Sequence, residues 1–174
     1  MSIIGWFVTV VTFPGVIVHE IAHQFFCKIA KVAVLDVKYF QFANPAGYVV
    51  HENPQKPYQH LMIGLGPLLF NTIVGALIAF PAVMPIVTFG TTSPVDLVLI
   101  WLGVSIAMHS FPSTGDAKSL WKSIMQPEVN IGYKIIIVPI VGLLYLGALG
   151  SIFWLDAIYG FGAVMLLPTV LFGL

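Results

Sequence analysis

The 174-residue chain is 59% hydrophobic and 8% charged, against roughly 25% charged side chains in a soluble domain, which marks an integral membrane protein. Seven basic and seven acidic residues leave no net charge, and no basic run exists that could bind a nucleic-acid backbone. A single cysteine, Cys27, excludes an intrachain disulfide, and the length suits one domain over 1–174, an all-α multi-pass bundle of about five spans with one small β-hairpin.

The first predicted span covers about 3–29, with a kink expected at Pro14-Gly15. No Lys or Arg precedes its apolar run and no small-residue cleavage pattern follows, so the segment is expected to stay part of the span. The period then changes. Residues 32–42 are rich in β-branched and aromatic side chains, Asn44-Pro45-Ala46-Gly47 is a turn signal and Tyr48 to His51 reads as a second strand, giving a hairpin over 32–51. A second span is expected over 58–83, with Gly64, Gly66 and Gly75 for close helix contact and Asn71 as a buried polar group. An uncharged loop from Pro81 to Pro94 precedes a third span over 95–111, which ends in the polar break His109-Ser110-Phe111-Pro112-Ser113-Thr114-Gly115-Asp116. A short interfacial helix follows over about 117–126, and two further spans are expected over 131–149 and 152–174.

All seven bases are lysines: Lys28, Lys31, Lys38, Lys56, Lys118, Lys122 and Lys134. With five spans they all fall on one side, the cytoplasmic side by the positive-inside rule. The expectation is a cell-membrane protein with its N-terminus outside, and with the ends of the first and third helices at similar depth toward the cytoplasm.

At those two ends lie the residues that carry chemistry. His19-Glu20-Ile21-Ala22-His23 places two imidazoles four apart on one helix face with a carboxylate beside them, the spacing of a zinc hydrolase in which both rings bind the ion and the Glu serves as base. Ionisable groups at membrane depth cost about 2.5–3.5 kcal/mol each on insertion scales, which favours a functional reading. A catalytic zinc usually takes three protein ligands and leaves a fourth position open. Asp116 leads the candidates for the third, ahead of His109, His51, Glu52 and His60; its competing reading is that of a cap on the helix beginning near Ala117. His109 is either the next ligand candidate or a donor to a developing oxyanion. Cys27 reads as a small packed thiol. The chemistry expected is peptide hydrolysis, with one Zn2+ per chain held by His19, His23 and Asp116 and with Glu20 as general base. The alternative is a membrane protein that binds or transports zinc without catalysis, although no repeat symmetry of the transporter kind is visible.

His19-Glu20-Ile21-Ala22-His23 in a membrane helix, the hairpin with Ala46-Gly47-Tyr48-Val49, Gly66-Pro67 with Asn71, and His109-Ser110-Phe111-Pro112 leading to Asp116 together resemble the site-2 protease family of intramembrane zinc metalloproteases, over roughly 15–120. The resemblance implies a divergent, minimal member in which His19, His23 and Asp116 hold zinc, Glu20 is the base, the hairpin receives the substrate strand, and the substrates are transmembrane or membrane-anchored proteins. The chain departs from the family pattern in three places. His109 stands where Asn is usual, with the aspartate one residue further on; Ala117 follows Asp116 in place of Gly; and Asn71 falls one residue late, turning it about 100° around the helix.

Overall fold

A computed structural model describes residues 3–172, so the last residues of the expected 152–174 span, 173 and 174, lie outside the described part. Seven α-helices and one two-stranded antiparallel sheet make up the fold: α1 (Ile3–Val11), α2 (Phe13–Ile29), β1 (Val34–Lys38), β2 (Tyr48–His51), α3 (Pro57–Phe89), α4 (Pro94–Met108), α5 (Thr114–Ile124), α6 (Ile131–Gly150) and α7 (Leu155–Phe172), with a 3-10 turn at Ser151–Phe153. The class is the expected one, mostly helical with a small hairpin. By length and apolarity α3 and the segment Ile131–Phe153 can each cross a membrane, and α1 with α2 makes a third crossing if that bent pair is one span. Helices α4 and α7 are apolar but shorter.

The first expected span is not one rod. Its two halves meet at 79°, far more than a proline kink. Pro14 has no N–H for the Val10 carbonyl, and after the last i→i−4 bond, Thr12 N–H to the Val8 carbonyl at 2.8 Å, the Gly15 amide turns to the Thr12 carbonyl at 2.9 Å, so the ladder breaks between α1 and α2. At its other end α2 closes in a Schellman arrangement: Val32 N–H reaches the Cys27 carbonyl at 2.9 Å and Lys31 N–H that of Lys28 at 3.2 Å, with Lys31 left-handed at φ 56°. Val32 and Cys27 then share an apolar cluster with Ala30 and Ile63, so the chain leaves α2 already docked on α3.

Helix α3 extends into the expected loop at Pro81 to Pro94 as far as Phe89, carrying Pro67, Pro81 and Pro85 inside it, and stops at Gly90, which is left-handed at φ 64°, so that only 90–93 remain a loop. Prolines persist inside a helix where neighbouring helices re-satisfy the freed groups. Ala79 and Val83 are indeed fully buried, in a cluster with Ala107 and Val164. At 33 residues and 1.5 Å per residue α3 is about 50 Å long, and it packs against α2, α4, α5 and α7. It crosses α4 at Gly75 and Gly103, where a Cβ on either glycine would stand 2.6 Å from the other's carbonyl oxygen.

The strands are shorter than the 32–51 hairpin suggested, and a register shift between Val34 and Asp36 marks a bulge in β1. Helix α4 ends at Met108 rather than at residue 111, and α5 starts at Thr114, three residues before the expected 117. That earlier start places Asp116 inside the first turn of α5, where Ser113 forms the N-cap.

Candidate metal centre

His19 and His23 stand one turn apart on the buried face of α2, 8% and 6% exposed, with Glu20 beside them at 7%. The rings meet edge to face with centroids 4.7 Å apart. What turns them is a pair of main-chain carbonyls from other helices. His19 Nδ1–H donates to the His109 carbonyl at 2.6 Å, and His23 Nδ1–H to the Ile63 carbonyl at 3.1 Å. Both acceptors are free for a local reason. The Ile63 oxygen would ordinarily bond the amide four residues on, but that residue is Pro67 and has no N–H. The His109 oxygen lies past the last turn of α4, and the amide it could have met, that of Ser113, is taken by the Asp116 carboxylate at 3.1 Å.

A carbonyl only accepts, so each ring carries its hydrogen on Nδ1 and turns an Nε2 lone pair to the other. Those two Nε2 atoms are 3.1 Å apart. Two acceptors this close need positive charge between them. Asp116 supplies the third group: its Oδ2 lies 3.6 Å from His23 Nε2, and the side chain is 39% exposed. One ligand atom from each of His19, His23 and Asp116 falls within 4.8 Å of the others. Ligands about 2.0–2.2 Å from a tetrahedral centre stand roughly 3.3–3.5 Å apart, so both short separations fit a single ion. The three residues can therefore hold a metal.

Asp116 also closes a capping box. Its Oδ2 accepts from the Ser113 hydroxyl at 2.6 Å, while its own N–H donates to Ser113 Oγ at 3.1 Å. The ligand and helix-terminus readings thus hold together, with the carboxylate aimed by the turn it stabilises. Desolvation works against a charge at Asp116, yet a proton shared by His23 and His19, together with the Ser113 hydroxyl, holds the carboxyl below the usual carboxylate range.

The other candidates lie elsewhere. His109 closes α4, and its ring Nδ1 bonds the Ser105 carbonyl at 2.8 Å beside Gly15, so its main chain touches the centre while its side chain does not join the group. His51 is on β2, bonded through Nδ1 to the Glu52 carbonyl at 2.7 Å, Glu52 is exposed, and His60 lines a separate cavity. Cys27 is fully buried among apolar neighbours. Asn71, fully buried on α3, donates through Nδ2 to the same His109 carbonyl at 3.0 Å, giving that oxygen two donors. Gly47, in the segment before β2, lies over Glu20: a Cβ there would meet Glu20 Cγ at 2.8 Å and Oε1 at 3.0 Å. No family model, curated protein or solved structure matches this chain.

Proposed function

We propose that this protein is an intramembrane zinc metalloendopeptidase of the site-2 protease type, cutting transmembrane or membrane-anchored proteins. The observation that carries the reading is a three-ligand cluster of two imidazoles and a carboxylate with a second acid, Glu20, buried next to it and outside the ligand set. A storage or transport site has no use for that extra acid. The zinc, when bound, supplies Lewis acidity, acidifying a water and polarising the scissile carbonyl.

The chain's own residues do the rest. His19 and His23 bind through Nε2 because their Nδ1 hydrogens are committed to carbonyls. Asp116 completes the set and lowers its net charge. Glu20 takes the proton from the attacking water and returns it to the departing amine, and Gly47 leaves room over its carboxylate. Within the described residues each strand of the hairpin has one partner, so an unwound substrate can add along an outer edge by backbone hydrogen bonds. In the topology we infer, five segments cross the bilayer with α4 and α7 among them, and the lysines mark the cytoplasmic end.

Purified wild-type and Glu20→Gln protein, incubated with single-span substrates with and without chelator, provide the test. Both should retain about one zinc per chain, while Glu20→Gln loses at least about 100-fold in cleavage and chelation stops the wild type. Unimpaired cleavage by Glu20→Gln, or cleavage indifferent to metal removal, overturns the proposal.

A further inference from the structure

Beyond the metal group, toward the C-terminal end of α5, a cavity of about 770 Å³ opens between α5, the first turn of α3 and the turn that leads into α6. This volume lies within the range of small-ligand sites. Polar side chains form much of its wall, in a chain that is mostly apolar. Lys56 and His60 line one side, Ser119, Lys122 and Ser123 project from one face of α5, and Glu128 also lines the cavity. Two of the seven lysines of the protein thus share one hollow. Among the described residues neither is in an ion pair, and the Lys56 ammonium lies over the Tyr58 ring, 5.9 Å from its centroid.

The lining carries two ammonium groups against one carboxylate, Glu128, a net positive charge that favours an anion. The donors available, two ammoniums with hydroxyls and side-chain amides around them, exceed what the two oxygens of a carboxylate can use, and they match a phosphate. We propose that this cavity is a phosphate-binding site, filled by the headgroup of an anionic phospholipid or by a soluble phosphate. The cavity sits at the lysine-rich end of the bundle, where headgroups would lie. Ser119, one turn beyond Asp116, ties its wall to the helix that carries the third metal ligand. The proposal stands whether or not the protein is a protease.

Detergent-purified full-length protein titrated with short-chain phosphatidylglycerol, and separately with inorganic phosphate, tests this, with binding read by calorimetry or native mass spectrometry. Saturable binding is expected, weakened at least about tenfold by Lys56→Gln with Lys122→Gln and unchanged by Lys38→Gln on the hairpin. Glu128→Gln should tighten it by removing a like charge. Binding of phosphatidylglycerol alone assigns the site to lipid, and equal dependence on the two lysines with inorganic phosphate assigns it to a soluble ester. Both lysines are exposed, so their replacement spares the core; an unchanged circular dichroism spectrum verifies this. Binding that survives the double substitution, that falls equally in Lys38→Gln, or that is absent for both probes overturns the proposal.

Discussion

Two carbonyl oxygens decide how the imidazoles of the metal group are presented, and neither belongs to the helix that carries the rings. The His109 oxygen is the more exacting of the two, since it accepts from His19 at 2.6 Å and from Asn71 at 3.0 Å. Removing Asn71 Nδ2 leaves His19 with a less firmly placed acceptor. Groups that orient a metal-bound histidine typically contribute 10–100-fold to affinity; Asn71→Ala should therefore lower zinc affinity by about 10-fold or more, measured by competition with a chromophoric chelator, while Asn71→Asp, which retains shape but not the donor, should fail to restore it. The spacing of His19, Glu20 and His23 was legible in the sequence because four residues on a helix fix a shared face. Ser113 was legible in principle from Ser-x-x-Asp, a helix-start pattern. The carbonyl partners were not, because a main-chain oxygen has no sequence signature and its freedom depends on where another helix breaks.

Pro67 shows the same dependence within a single element. It interrupts the ladder of α3 where Ile63 needs a free oxygen, and α3 continues past it. Pro67→Ala returns an N–H that competes with His23 for that oxygen. The expected outcome is an unaltered helix content by circular dichroism together with zinc affinity reduced about tenfold; unchanged affinity would show that the Ile63 contact does not orient His23. Prolines also explain two of the element-level departures from expectation. Pro81 and Pro85 read as loop residues by rules drawn from water-exposed helices, yet packing of Ala79, Ala82 and Val83 keeps α3 intact around them. Pro14 reads as a kink, and becomes a near right angle where the ladder breaks, the Val10 carbonyl finding no N–H at Pro14 and the Gly15 amide turning to Thr12. Periodicity recognises that an apolar stretch is helical, and it says little about where neighbours let the helix persist or stop.

Across the whole molecule the metal group joins α2 to α5, two helices otherwise linked through α3. A ligand that binds only the folded form stabilises it, by about 2.7 kcal/mol at a hundredfold excess over its dissociation constant. Chelation should therefore lower the melting temperature of the wild type by several degrees and leave that of His23→Ala unchanged, as followed by differential scanning fluorimetry in detergent. An equal fall in both proteins would place the stabilising metal elsewhere. Composition alone was enough to assign this protein to the membrane, because 8% charge is too little to solvate a bundle of this size. The count of crossings was harder to read, since α4 has only 15 residues and α1 folds away from α2.

The contact between Gly47 and Glu20 links a surface ribbon to a buried acid through a single backbone position. Under the proteolytic reading, a guest strand that draws the ribbon aside would uncover the acid as it binds. Hydrolysis would then be timed in part by arrival of the guest.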